Sequence, residues 1–342
     1  MLMNKFDRRH FLTLASAAAV SGCSRKPAVA PVDKPLIVSI NNRTSMAGFH
    51  VALENGYFKQ AGIPIDAQVM GRGDETVPLL AAGKIDIMFG SLSMPLLNGI
   101  SRGLPMRIAA GREVTAPGCS EFGVLYVHRD FFPQGFTSIA QIKGRPIAAS
   151  GPVSMPTFAL EVMLSKEGLK LSDVDLKKLA GAEGIAALRA KQVHGVVTLH
   201  NYGPPLNERF PEFIPYKKFV EILPGFQYAF VVFGKRLLDG PVDIGGRFLA
   251  AYLRGCADYV AGATPKWLDK LAESNGVDPV KARSFCRETA LSDGAIKEDS
   301  ITYFNRWAVE RGYADRIVPV AEMVDKRFLD HAHAHPFTPA KS

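Results

Sequence analysis

The spacing of apolar positions changes along the chain, and each change marks the boundary of an element. Leu36-Ile37-Val38-Ser39-Ile40 is an apolar run of strand length. In Ala47–Gly56 the apolar residues Phe49, Ala52 and Leu53, followed by Tyr57, keep the helical interval, so one stripe faces a core. After the break at Gly62 and Pro64, Ile65, Ala67 and Val69 alternate as a strand does. Val77, Leu80 and Ala81 restore the helical period, Gly83 closes that helix, and Ile85–Phe89 reads as a short buried strand. Met106–Ala110 and the aromatic run Phe122–His128 are further strands. Pro146–Ala149, Asp175–Leu179 and Val196–Leu199 then alternate with helices over Pro156–Gly168 and Glu183–Lys191. A second aromatic run, Phe226–Phe233, precedes a helical remainder. There Phe248, Leu249, Tyr252, Leu253 and Val260 form one stripe, and Trp267, Leu268 and Leu271 a second behind Thr264 and Pro265. Helices follow over Val280–Thr289 and Ser300–Arg311, and His331–Ser342 reads as a frayed tail.

Strands alternating with helices predict an α/β fold of mainly parallel sheets with helices on both faces. A weak internal echo divides it into two lobes. Leu80–Phe89 lines up with Leu188–Val197, with Lys191 standing where Gly83 does and His194 where Asp86 does. The expected layout is lobe 1 from 36–124 and 228–330, and lobe 2 from 125–227. The aromatic runs would cross between the lobes as a hinge that closes on ligand. In such sheets ligands settle beyond the carboxyl ends of the strands. That rule nominates Thr44, Ser45 and Met46, then Arg72, Gly73 and Asp74, then Gly90, Ser91 and Ser93, all on the first lobe. On the second it nominates Gly151, Ser154 and Met155, with His200, Asn201 and Tyr202 after the closing strand. Ser154 suits a helix cap and Pro156 a first turn, where free N–H groups and the dipole favour an anion. Arg72 would either clamp an anion through its planar fork or sit solvated beside Asp74. Met46, Met155 and Tyr202 would pack on the body of the ligand.

Ala52, Glu54, Gly56, Tyr57 and Phe58, followed by Leu80, Gly83, Ile85, Asp86 and Ile87, form an ordered set. That set resembles the opening lobe of the solute-binding proteins of ABC importers, in the nitrate/sulfonate/taurine branch shared with thiamine-pyrimidine binders. The resemblance implies a two-lobed fold of the periplasmic binding protein type, with C-terminal helices packed back onto the first lobe. It also implies a small-molecule ligand, ABC permease subunits as partners, a monomer, no cofactor and no catalysis. The ligand it favours is a small anionic organic solute such as a sulfonate. A neutral heteroaromatic, such as a thiamine-precursor pyrimidine, and an exported enzyme on the same scaffold are the alternatives.

The first residues add an address. Lys5, Arg8 and Arg9 lead into the weakly apolar segment Phe11–Val20 and the small-residue exit Ser21-Gly22-Cys23. This reads as a cleavable export signal over residues 1–22, twin-arginine-like, ending in a lipobox that acylates Cys23. Residues 23–35, with Pro27, Pro31 and Pro35, would tether the domain to a membrane through that lipid, placing it in the periplasm or cell envelope. The formal net charge of +8 falls to +6 once Lys5, Asp7, Arg8 and Arg9 are removed. The positive residues are scattered without a basic stripe, which excludes a nucleic-acid partner. Cys256 and Cys286 either pair or remain buried thiols. His331, His333 and His335 would share one side of an extended chain, as weak metal ligands do, but a mobile tail holds no site. No G-x-S-x-G, P-loop or H-E-x-x-H pattern occurs.

Overall fold

The computed structural model describes residues 32–70, 73–116, 122–151, 154–179, 181–199, 205–284 and 287–340. The strands in chain order are β1 (Leu36–Ile40), β2 (Ile65–Val69), β3 (Ile87–Ser91), β4 (Met106–Val114) and β5 (Phe122–His128). They continue with β6 (Pro146–Ala149), β7 (Asp175–Lys178), β8 (Gly195–Leu199), β9 (Phe213–Pro215) and β10 (Gln227–Gly234). One sheet runs β2-β1-β3-β10-β4 and the other β7-β6-β8-β5-β9. β1 pairs parallel with β2 and β3, whereas β10 pairs antiparallel with β3 and β4. The second sheet repeats this, with β6 parallel to β7 and β8, and β5 antiparallel to β8 and β9. Each sheet therefore holds one reversed strand, and in each it is the first strand entered after the chain crosses from the other sheet. The two-lobed α/β architecture of mainly parallel sheets stands, each sheet carrying one antiparallel strand.

The aromatic runs are interior strands and not the crossings. β10 is buried along its whole length, and a strand buried on both faces has to pair along both edges. The crossings are the short segments beside them, and they touch. Thr115 N–H donates to Phe226 O at 2.9 Å, and Gly225 N–H donates to Thr115 O at 3.0 Å. The Thr115 hydroxyl donates to Leu223 O at 3.0 Å and accepts from Phe226 N–H at 2.9 Å.

The helices that matter below are α1 (Ala47–Glu54), α2 (Gly73–Ala81), α3 (Met94–Ser101), α4 (Met155–Ser165) and α5 (Gly181–Arg189). They continue with α6 (Leu206–Arg209), α7 (Val242–Val260), α8 (Lys266–Ser274), α9 (Glu298–Glu310) and α10 (Arg327–Ala334). α1, α7 and α10 bury Phe49, Phe248, Tyr252 and Phe328 in one core with Val38 of β1 and Phe233 of β10. A second core is continuous between the sheets, joining Ile108 of β4 to Phe158 of α4 and Trp307 of α9. The C-terminal helices thus do not all return to the first lobe. α7 and α10 do, whereas α9 also packs on α4, where Trp307 Nε1 donates to Glu161 at 3.0 Å and Arg311 pairs with the same carboxylate.

Two local expectations are corrected, at Val260 and in the tail, and one of the two alternatives for Cys256 is observed. Val260 ends its stripe exposed. Cys256 is a buried free thiol, and burial pushes its pKa up to about 12. Residues 331–334 belong to α10 and are not a frayed end, because Phe328, Leu329 and Ala332 continue a buried helical stripe. A helix also breaks the alternation of the histidines. His331 and His335 stack at 4.4 Å, while His333 Nε2 turns to Asp293 O at 2.7 Å. Among the described residues no cluster suited to a metal ion occurs.

Candidate functional site

β1, β3 and β4 bring their carboxyl ends to one edge of the first sheet, where β10 begins. Thr44, Ser45 and Met46 form a single 3-10 turn at that edge and lead directly into α1. Met46 is fully buried. Gly90 and Ser91, expected in a loop, are the last residues of β3 and pair with Phe230 and Ala229. The reversed strand supplies partners that a parallel neighbour alone would not, so β3 runs on. Ser93 caps α3, its hydroxyl accepting from Leu96 N–H at 3.4 Å.

A buried charged pair at this rim lies in β4 beyond Ala110, where the apolar pattern predicts the strand to end. Arg112 and Glu113 are 4% and 2% exposed and 3.8 Å apart. Arg112 Nη1 donates to Ser45 Oγ at 3.5 Å and Met46 Sδ at 3.2 Å, and its guanidinium lies 5.9 Å from the Phe89 ring centre. Tyr228, entering on β10, has its phenol pKa held well above the ordinary value by burial and then by Glu113. Among the described residues, Arg112 Nε, both Glu113 carboxylate oxygens and Asn41 Oδ1 are buried without a hydrogen-bond partner. Buried polar groups are normally paired, and an unpaired one costs about 1–3 kcal/mol. A buried guanidinium with an unused N–H beside a serine hydroxyl is chemically suited to an anionic or carbonyl oxygen. The signal in the sequence was Arg-Glu following the apolar Ile108-Ala109-Ala110-Gly111, a charged pair inside a strand.

On the second sheet, β6 ends just before Gly151, whose backbone takes the left-handed φ of +112°. Ser154 caps α4, accepting from Thr157 N–H at 3.4 Å while donating to Gly151 O at 2.8 Å. Thr157 Oγ1 donates to the same carbonyl at 2.5 Å. The Ser154 proton is therefore used inside the cap, and Met155 is buried behind it. Gly73 and Asp74 open α2. Arg72, His200, Asn201 and Tyr202 lie outside the described residues, as does Cys23. The described candidates thus fall into two groups at the strand ends, one on each sheet. Ser45 and Met46 are joined to Arg112, while Gly151 and Ser154 are joined through Thr157.

This architecture is that of the two-lobed periplasmic binding proteins. The chain belongs to the NMT1-like family, which it matches over residues 30–210, and the resemblance read from the sequence is borne out. A relative from Brucella abortus (strain 2308), provisionally named a binding protein, is 22% identical over 280 residues, covering 80% of this chain and 81% of its own. Among solved structures, the ligand-binding component of an ABC-type import system from Staphylococcus aureus superposes with a TM-score of 0.69 at 13% identity. That match covers 87% of this chain and 99% of the other. The periplasmic aliphatic sulphonate binding protein of Escherichia coli gives 0.66 at 14% identity, covering 86% and 93%. The desulfurization enzyme DSZB also superposes, at 0.63 and 14% identity over 88% of this chain and 99% of its own. That match overturns the expectation that catalysis is foreign to such a chain, since the same scaffold carries an enzyme.

Proposed function

We propose that this chain is the solute-binding component of an ABC importer and captures a small organic anion between the carboxyl-end rims of its two sheets. The observation that carries the reading is Arg112, buried at the first rim with an unpartnered Nε and with Ser45 at its side. The family, and the import and sulphonate-binding roles named for the structural neighbours, support the class of solute. In this reading Thr44, Ser45, Met46, Gly90, Ser91 and Ser93 line one rim, with Arg72, Gly73 and Asp74 beside them. Gly151, Ser154, Met155, His200, Asn201 and Tyr202 line the other. Amides of the first turns of α3 and α4 face the head group, because the cap serines use their own hydroxyls locally. Residues 1–22 export the chain, Cys23 carries the lipid, and the mature protein works as an envelope-anchored monomer that delivers its solute to permease subunits.

The test is a thermal-shift and calorimetric panel of alkanesulfonates, carboxylates and pyrimidines against the chain from Ser24 onward. Arg112→Lys keeps the charge beside Glu113 but removes the planar fork. It is expected to weaken the anion that binds by about tenfold to a hundredfold, the worth of a charge-assisted hydrogen bond. A pyrimidine as the tightest binder, indifferent to Arg112→Lys, would reject the anionic reading. Mass analysis of the returned solute registers any turnover.

A further inference from the structure

Beside the second sheet, α5 and α6 leave a groove of about 290 Å³ lined by Ile185, Arg189, Thr198, Leu206, Arg209 and Phe210, with Asn275 at its edge. It begins at the α5 N-terminus, beyond the carboxyl end of β7, and runs down the helix to Arg189 in the last turn. Three observations coincide there. Arg189 and Arg209 are both held against the Phe210 ring, at 4.6 Å and 5.3 Å from its centre. Among the described residues neither guanidinium has a carboxylate partner, while the neighbouring Glu208 is turned to Lys281 at 3.9 Å. Thr198, on β8, is one of the groove's lining residues and 3% exposed, and its buried hydroxyl has no hydrogen-bond partner among the described residues. Two guanidiniums on one aromatic ring lack a counter-ion among the described residues, and a buried hydroxyl left unpaired is unfavourable. One bound molecule relieves both.

We propose that this groove is a second binding site, for a small organic anion with an apolar body and a hydrogen-bonding group at its far end. The anionic head lies between Arg189 and Arg209, which as planar forks can each hold two oxygens. The body covers Ile185, Leu206 and Phe210, and the far group meets the Thr198 hydroxyl. None of its lining residues is among those assigned to either rim above, although the groove starts at the carboxyl edge of the second sheet, and the proposal is tested separately from the transport reading.

The probe is 4-hydroxybenzoate, titrated calorimetrically into the full chain. The double variant Arg189→Gln/Arg209→Gln changes two exposed side chains and should fold normally; it is expected to weaken binding by about tenfold or more. Thr198→Val keeps the shape and removes the orphan hydroxyl, so it should raise the melting temperature of the unliganded protein and yet weaken the probe. Arg112→Lys should leave this component of the titration unaffected, any binding at the first rim appearing as a separate, Arg112-dependent component. No binding at millimolar probe, unchanged affinity in the double variant, or loss on Arg112→Lys instead would each overturn the proposal.

Discussion

His50 illustrates how one side chain sets a pH dependence. It lies in α1 at 7% exposure, stacked on Trp267 at 3.9 Å, and its Nε2 has no hydrogen-bond partner among the described residues. Burial lowers its pKa from 6.5 to about 4. The folded protein therefore resists a proton that the unfolded chain takes up below pH 6.5. The stabilising contribution is complete above that pH and is lost as pH falls toward 4, by about 3 kcal/mol at most. Between pH 7 and pH 4 the His50→Phe variant, which keeps the stack on Trp267, should lose less melting temperature than the parent. Parallel curves for the two proteins would show that His50 is not the group responsible. At this scale the sequence was least informative. Nothing in the spacing singles out His50, and the apolar run Met106–Ala110 predicts a strand shorter than β4. In the fold Gly111 continues β4 because a Cβ there would lie 2.1 Å from Ala295 O and 2.2 Å from Gln227 Nε2. Arg112 and Glu113 lie beyond the apolar part of the strand, which is why the apolar pattern does not mark them.

At the scale of elements, the periodicities were legible wherever a stripe or an alternation was long enough to identify. β6 and the starts of α1 and β7 fall where the pattern put them. What the pattern could not supply was the partner of each strand, since burial on both faces looks the same in a crossing and in a central strand. The contact between α1 and α7 is equally silent in sequence. A Cβ on Gly48 would sit 2.6 Å from Cys256 Sγ, and one on Gly255 would sit 2.4 Å from Gly48 O, so the helices meet backbone to backbone. Gly48→Ala should therefore destabilise the protein by about 1–3 kcal/mol, read as a lower denaturation midpoint at unchanged slope. The internal echo gives a change of the opposite sign. Gly83 ends its helix at φ +66° and Lys191, its counterpart, adopts φ +57° without glycine's freedom. Lys191→Gly should stabilise by about 1 kcal/mol, since the exposed Lys191–Asp130 pair that it removes contributes little. A lower melting temperature for that variant would show that the ion pair outweighs the backbone strain.

For the whole molecule, the repeated sheet order and the reversed strand contributed after each crossing describe two similar halves joined by two adjacent strands of chain. Thr115, Gly225 and Phe226 tie those strands together with three short hydrogen bonds. A narrow double connection of this kind permits rotation of one half against the other, limited here by α9 bridging to α4. The two-lobed class was visible in the sequence because strand and helix alternate twice over. The solute was not, because the rim residues nominated by position are mostly small or backbone-reliant, and their meaning depends on which strand ends the fold brings together. The most direct measurement is the radius of gyration by small-angle X-ray scattering, with and without a saturating anion selected from the panel. Capture between the rims predicts a smaller radius with ligand, and no such change for Arg112→Lys at the same concentration when that concentration is too low to fill the variant. A ligand that saturates the parent with no compaction, and binds Arg112→Lys equally well, would contradict the account.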